Sequence, residues 1–295
     1  MTEATQRWEV GRARVTSVVE SQTDGIPPAF FFPEADEALI LRHPWVAPRY
    51  ADERGRIGLR VQAFVVEVGG RLIVVDPCVG NDKARALPFW NMQSWPFMER
   101  FRAAGFDPDD VELVLHTHLH VDHVGWDTHL DEGRWVPTFP RARHLYVGAE
   151  LAAQEAEAGT DADAGQVRAD SIEPILDAGL ADLVEADADL GDGLRLAPTF
   201  GHTPGHVALW LDGGGERPVL VTGDTIHHPV QCAELGLAFA GDRDPAQARD
   251  TRRRLLAEAA DTGALVLGTH FPTSPGGRVA PDGEAWRFTP LAAEV

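Results

Sequence analysis

The chain has 295 residues, 46 acidic against 26 basic side chains, and a formal net charge of −20. A surface of that sign repels phosphate backbones and anionic lipid, which excludes nucleic acid and membrane as expected partners. Hydrophobic residues at 44% and charged residues at 24% are those of a globular protein, neither disordered nor fibrous.

The N-terminal stretch MTEATQRWEVGRARV lacks the apolar core of a leader peptide, and the longest apolar runs are strand-sized. Cys78 and Cys232 imply no disulfide framework, so a cytoplasmic protein with reduced thiols is expected, Cys78 being a small buried residue. Strand patterns come first: residues 14–20, 60–68 and 71–77, the last two joined by Gly69-Gly70 as a hairpin turn. Residues 88–110, with Phe89, Trp90, Trp95, Phe97 and Phe101 on an aromatic face, read as a helix closed by Gly105 and Pro108. VELVLHT (111–117) is a continuous apolar strand of buried type.

Further on, 141–148 reads as a strand and Glu150 to Glu157 as a helix. From Glu150 to Leu190 there are twelve acidic residues and one basic residue, Arg168, which reads as a solvated face. Strands follow at 193–199 and 217–224. A helix then opens with Asp244 as N-cap and Pro245 in its first turn, and ends at Gly263. ALVLGTH (264–270) is another buried strand. No linker or repeat divides the chain, so sheets covered by helices in one α/β domain over residues 1–295 are expected.

The chemistry is concentrated after the strand at 111–117. His118, His120, Asp122 and His123 sit in the turn that follows it. His118 and His120, two apart in extended chain, can point the same way, and Asp122 and His123 can face a neighbouring position. Imidazole and carboxylate bind zinc and also suit iron, manganese and cobalt, so the spacing reads as half of a two-metal site. His202, Asp224 and His270 repeat the context, each beside a Gly-containing turn after an apolar run, and strand ends along one sheet edge are where α/β folds assemble sites. His116 is assigned to core packing. His43, His129 and His144 have no motif support and are left structural or exposed.

These pieces together resemble the metallo-β-lactamase superfamily. The match is to its THxHxDH motif at Thr117–His123, its GHTPGH segment at Gly201–His206, its GD at Gly223-Asp224 and its last histidine at His270. The resemblance implies a four-layer αββα sandwich with a site for two divalent metal ions, zinc first, then manganese, iron or cobalt. His118, His120 and His202 would hold one ion, Asp122, His123 and His270 the other, and Asp224 would bridge, with Thr117 and His206 supporting the ligands without binding metal. Two cations acting on one water lower its pKa towards neutrality. The hydroxide so formed can attack a carbonyl or phosphoryl centre, with Asp122 orienting it or relaying its proton.

His at position 120 disfavours the diiron flavoprotein branch, whose members generally carry Glu there, and Asp224 looks like the lactonase, glyoxalase II and phosphotriesterase side. Many acyl-homoserine lactonases carry Tyr three residues beyond the bridging Asp. Here that position is His227, a departure that makes His227 a catalytic candidate and His228 a pocket candidate. Phe31, Phe32, Trp90 and Trp126 are expected to line an apolar substrate pocket. Residues about 20–60, containing PPAFFFP, are expected to form a lid or a homodimer contact. The expected activity is hydrolysis of a small, fairly apolar ester, lactone, thioester or phosphotriester, and the alternative is a mononuclear iron oxidoreductase of sulfur-dioxygenase type.

Overall fold

A computed structural model describes residues 5–291; the leader reading at the N-terminus therefore falls in part, at residues 1–4, outside the described residues. The first half of the chain builds one sheet. β1 (Thr5–Val10) and β2 (Ala13–Ile26) are followed by α1 (Glu37–Leu41), β3 (Ile57–Val68), β4 (Arg71–Val75), α2 (Phe97–Ala103) and β5 (Leu113–Leu115). A small hairpin of β6 (Thr128–Asp131) and β7 (Arg134–Pro137) precedes β8 (Arg143–Val147) and the helices α3 (Gly148–Ala158), α4 (Ala162–Val167) and α5 (Glu173–Asp177). β9 (Ala181–Val184) completes a seven-stranded sheet in the order β1-β2-β3-β4-β5-β8-β9.

The second half builds its counterpart from β10 (Asp189–Gly191), β11 (Leu194–Pro198), β12 (Val207–Leu211) and β13 (Val219–Val221). After α6 (Val230–Ala233) and α7 (Pro245–Thr262) come β14 (Leu265–Leu267), β15 (Gly276–Asp282) and β16 (Ala285–Pro290). These seven strands are ordered as in sequence. Among the described residues, β4-β5, β5-β8, β8-β9 and β13-β14 pair in parallel; the candidate ligands follow the carboxyl ends of β5, β13 and β14, and His202 follows the antiparallel β11.

Alternation within strands explains the layering. Phe64, Val66, Ile73, Val75 and Leu115 of the first sheet pack in one buried cluster with Leu196, Leu209, Val221 and Leu267 of the second. The intervening Val65, Val74 and Val114 join Phe97 and Phe101 of α2, while Leu220 and Val266 join Leu255, Leu256 and Ala259 of α7. Each fully buried aliphatic side chain stabilises by roughly 1.5–3 kcal/mol, so burial on both faces of short three-residue strands outweighs the few ladder hydrogen bonds they make. The result is the two-sheet α/β sandwich with helices outside.

Two expectations need correction, and the segment at 20–60 gains its bounds. Residues 88–96 are not helical: Pro88 and Pro96 lack an N–H, and Pro96 disfavours helical geometry at Trp95. Asn81 instead clasps Trp95, its Nδ2 donating to the Trp95 carbonyl (2.9 Å) and its Oδ1 accepting from the Trp95 N–H (2.8 Å). Residues 20–26 and 57–60 are strand, so the irregular insertion within 20–60 is confined to residues 27–56. The acidic stretch is not wholly solvated either, since Glu150 and Asp170 are buried.

Asp170 explains its own burial. Arg85 Nη1 lies 2.7 Å from its Oδ2 and Lys83 Nζ 3.3 Å from its Oδ1, all four atoms being inaccessible to solvent. Burial lowers the Lys83 pKa to about 8, against the opposing pull of Asp170. This network ties the 76–95 segment to the turn after α4. Removing one member strands the others as buried charges, which costs about 3–5 kcal/mol. Asp170→Ala is therefore expected to lower the unfolding free energy by that amount in urea titration, and a loss under 1 kcal/mol would show the network to be dispensable.

Candidate metal centre

The strand β5 ends at Leu115 and the chain turns through His116–His123; His202 lies in the β11–β12 connection, Asp224 just past β13 and His270 just past β14. The fold brings these distant residues together. One group is His118, His120, His202 and Asp224, the other Asp122, His123 and His270, with the ligand atoms of each group within 4.8 Å of one another. Asp224 faces both. Its Oδ1 is 3.0 Å from His270 Nε2 and 3.3 Å from His123 Nε2, while its Oδ2 is 3.4 Å from His202 Nε2 and 3.7 Å from His118 Nε2.

The far sides of four rings, those of His270, His202, His118 and His123, each face a group that sets the ring's orientation. His270 Nδ1 donates to the Arg60 carbonyl (2.8 Å), which can only accept, so its Nε2 turns a lone pair inward. His202 Nδ1 is 3.0 Å from Asp242 Oδ1. Thr117 Oγ1 donates to Asp76 Oδ2 (2.8 Å) and so accepts from His118 Nδ1 (3.1 Å). The same Asp76 oxygen lies 3.1 Å from His123 Nδ1. Carboxylate and carbonyl partners of this kind orient metal-binding imidazoles and raise their basicity.

His206 is excluded as a ligand, because its Nε2 accepts the Asp224 N–H (2.9 Å) and its Nδ1 donates to Thr199 Oγ1 (2.8 Å). It positions Asp224 instead. Gly223 precedes that residue at φ 50°, and a Cβ there would sit 2.7 Å from His206 Nε2 and 2.8 Å from Thr117. A side chain cannot be accommodated.

Electrostatics reinforce the arrangement. Burial, then neighbouring imidazoles, hold His118 and His202 well below the usual range and His120 at about 3, so these three stay neutral and able to donate lone pairs. Burial also opposes protonation of His123 and His270, but Asp224 and its carboxylate neighbours outweigh it and raise both. Burial would raise Asp224; His270, His123 and His227 pull it far below the carboxylate range instead. Among the described residues, His118 Nε2 and Asp224 Oδ1 are buried with no hydrogen-bond partner. Uncompensated polar atoms so placed cost about 1–3 kcal/mol each. A divalent cation relieves that cost, and the nitrogen and oxygen donors suit one.

A cavity of about 200 Å³ opens onto the centre, lined by His120, Asp122, Asp224, His227 and His270 together with Phe30, Phe31, Trp90 and Phe239. Phe31 and Trp90 stand where an apolar lining is expected; three other candidates do not. Phe32 is wholly buried in the core. Trp126 stacks on Phe97 (5.4 Å between centroids) and donates Nε1 to Glu20, which fixes it behind the metal-ligand turn. His228 turns away, its Nε2 bonding to the Tyr50 carbonyl (3.0 Å). His227 does face the cavity, with Nε2 3.3 Å from Asp224 Oδ2 and its ring stacked on Phe239 at 3.8 Å.

Sequence reasoning passed over Asp76, Asp242, Glu150 and Phe239. Asp76 follows an apolar strand in VVDP, the context that singled out Asp224, so a signal was present; Asp242 had none. Glu150 bonds the Leu119 N–H (3.1 Å), Thr203 Oγ1 (2.7 Å) and the Gly205 N–H (2.9 Å), joining the two histidine-bearing turns. A Cβ on Gly205 would meet the Glu150 backbone at 2.4 Å. His116 and His144 lie outside the centre, both within 3.3 Å of buried Asp127 Oδ1.

Residues 56–270 match the metallo-beta-lactamase superfamily. The N-acyl homoserine lactonase AttM of Rhizobium radiobacter is 32% identical over 145 residues, 45% of this chain and 51% of that protein. AttM of Azorhizobium caulinodans is 32% identical over 198 residues, 60% and 67% of the two chains. An N-acyl homoserine lactonase of Bacillus sp is 26% identical over 140 residues, 48% of each. The chain thus spans about half the length of several curated relatives it matches. Among solved structures, hydrolase AbOPH of the beta lactamase superfamily superposes with a TM-score of 0.82 at 22% identity over the whole of both chains. AidC, a dizinc quorum-quenching lactonase, gives 0.80 at 18% identity over 99% of both. At these identities the likeness is one of fold.

The groups behind the rings carry their own test. Removing Asp242, which contacts no inward-facing atom, is expected to weaken metal retention roughly 10–100-fold, the usual effect of losing such a partner. Zinc competition between Asp242→Ala and a chromophoric chelator measures it, with circular dichroism as the folding control; unchanged affinity would show that the His202 ring needs no support.

Proposed function

Since the chain belongs to the metallo-beta-lactamase superfamily, we propose that it is a metal-dependent hydrolase of a small, fairly apolar ester or lactone, or of a related thioester or phosphotriester. The observation that carries this is Asp224, whose two oxygens face two separate histidine groups. His118, His120 and His202 would hold one divalent ion, Asp122, His123 and His270 the other, with Asp224 common to both. Such a pair of ions, when bound, polarises a carbonyl and lowers the pKa of a water molecule.

The chain's own groups do the rest. Asp122 lines the cavity beside His270, its Oδ2 3.5 Å from Nε2, and takes the proton of the attacking water before passing it to the leaving oxygen. His227 is held flat against Phe239 and aims Nε2 into the cavity, where it donates to the substrate oxygen in the place that many lactonases fill with Tyr. Phe30, Phe31, Trp90 and Phe239 exclude water and present apolar surface to the substrate. The lactonase relatives support the lactone as a first substrate to try. The assembled Asp122–His123–His270 group supports two ions over a single iron.

Elemental analysis of protein purified without chelator is expected to give about two divalent ions per chain, and chelation to abolish hydrolysis until zinc, manganese, cobalt or iron is restored. Asp224→Asn should keep the circular dichroism spectrum and lose roughly 100-fold or more in kcat on the best ester or lactone. Full turnover in that variant removes the bridging role. One iron per chain, with persulfide-dependent oxygen uptake and no hydrolysis, replaces the hydrolase reading by the dioxygenase one.

A further inference from the structure

We propose that the trough between α3, α4 and the His120–Val121 turn is the subsite for the long arm of the substrate, and that it accepts an uncharged or cationic arm and rejects one ending in a carboxylate. The inference rests on the hydrolase reading.

The cavity at the centre, about 200 Å³, is smaller than the ordinary ligand-pocket range of roughly 300–1,000 Å³. It has room for a ring or a short chain. A second cavity of about 540 Å³ lies beside it, and His120 and Val121 form walls of both. The second cavity also reaches Thr203 and Pro204, which follow His202, so it flanks the His118–His120–His202 side while the first flanks Asp122, His227 and His270. A scissile group held at the centre therefore has one arm directed to each side.

The trough's lining specifies the arm. Leu119, Ala153, Ala156, Ala164, Val167 and Pro204 give apolar surface. Ala153 and Ala156, three apart on α3, line the trough together with Ala164 of α4, and large side chains there would fill the space. Polar groups in the wall are already engaged. Glu150 takes three donors, and Gln154 Nε2 donates to the Ala164 carbonyl (3.1 Å). Shape and apolar contact are what the trough offers.

The rim adds a charge filter. Glu157, Asp161 and Asp163 stand against a single cation, Arg243, whose Nη2 is already 2.6 Å from Glu157 Oε1. That leaves two carboxylates uncompensated at the mouth of a chain carrying −20 overall. An anionic tail, such as that of a peptide thioester, meets repulsion at this point. An alkyl tail meets none.

The test uses the metal-loaded enzyme and three p-nitrophenyl esters: acetate, decanoate, and a ten-carbon acyl chain ending in a carboxylate. Wild type should prefer the decanoate to its carboxylated counterpart by about tenfold in kcat/KM. Ala153→Trp should lower the decanoate-to-acetate ratio about tenfold, mainly through KM. Ala156→Leu, which keeps a good helix former, should lower it in the same sense if the first variant does not fold. Asp161→Asn with Asp163→Asn retains the side-chain oxygens that accept the Ala164 and Ala86 N–H groups, and should narrow the methyl-against-carboxylate gap several-fold. An unchanged decanoate-to-acetate ratio in a folded variant overturns the trough; an unchanged carboxylate gap overturns the filter. Failure of wild type to hydrolyse even acetate and decanoate overturns the hydrolase reading, a result distinct from either.

Discussion

The site depends on imidazoles that are each held with one nitrogen turned inward. Ring nitrogens from His118, His123, His202 and His270 surround both oxygens of one buried carboxylate, Asp224. Left to itself, such a cluster would rotate its rings to find hydrogen bonds elsewhere. Every ring is prevented from doing so by a partner behind it: the Arg60 carbonyl, Asp242, Thr117 or Asp76. Asp76 serves two rings at once, through Thr117 to His118 and directly to His123. The inward aim of these rings is thus a consequence of outward hydrogen bonds and, for His123, of the Asp76 carboxylate behind it.

Holding those partners still is the task of the surrounding fold. Asp76 and Cys78 both adopt positive φ, 52° and 51°, a region that costs a non-glycine residue roughly 1–2 kcal/mol. The turn survives because Glu20 accepts the Val79 and Gly80 N–H groups (3.0 Å each) and the Pro77 and Cys78 carbonyls accept from Trp126 and Gly125. Burial raises Glu20 to about 7, the cost of placing a carboxyl there. On the other side, buried Arg252 of α7 bonds the Thr225 and Leu237 carbonyls (2.8 Å each), tying the Asp224 turn to the segment that carries Phe239 and Asp242. The two sheets supply the strand ends, and these buried polar anchors set the angles.

Around the centre the two cavities differ in character. Aromatic rings, with His227 clamped between Asp224 and Phe239, narrow one side. Alanines on α3 and α4 open the other. A site built this way would read a substrate by the unequal shapes of its two arms, one set against aromatic rings and the other against small apolar side chains.

Much of this was legible in the chain alone. The candidate metal ligands declare themselves because ligation needs particular side chains at strand ends, and short apolar runs followed by His or Asp beside glycine mark such ends at His118, His202, Asp224 and His270. The Asp244 cap and Gly263 terminus of α7 are local events, decided within a few residues, and they lie where expected. Residues 88–96 failed as a helix because an aromatic face was weighed above two prolines. What only the tertiary structure decided is everything that joins segments far apart in sequence. Trp126 and Phe32 are as apolar as Phe31 and Trp90, yet two face the core and two face the cavity. Glu150 and Asp170 look like their solvated neighbours until Thr203 and Arg85 arrive from elsewhere in the chain. Side-chain type sets what a residue can bind, and periodicity sets which face it takes. Which partner it meets is a matter of packing between elements, on which local pattern is silent.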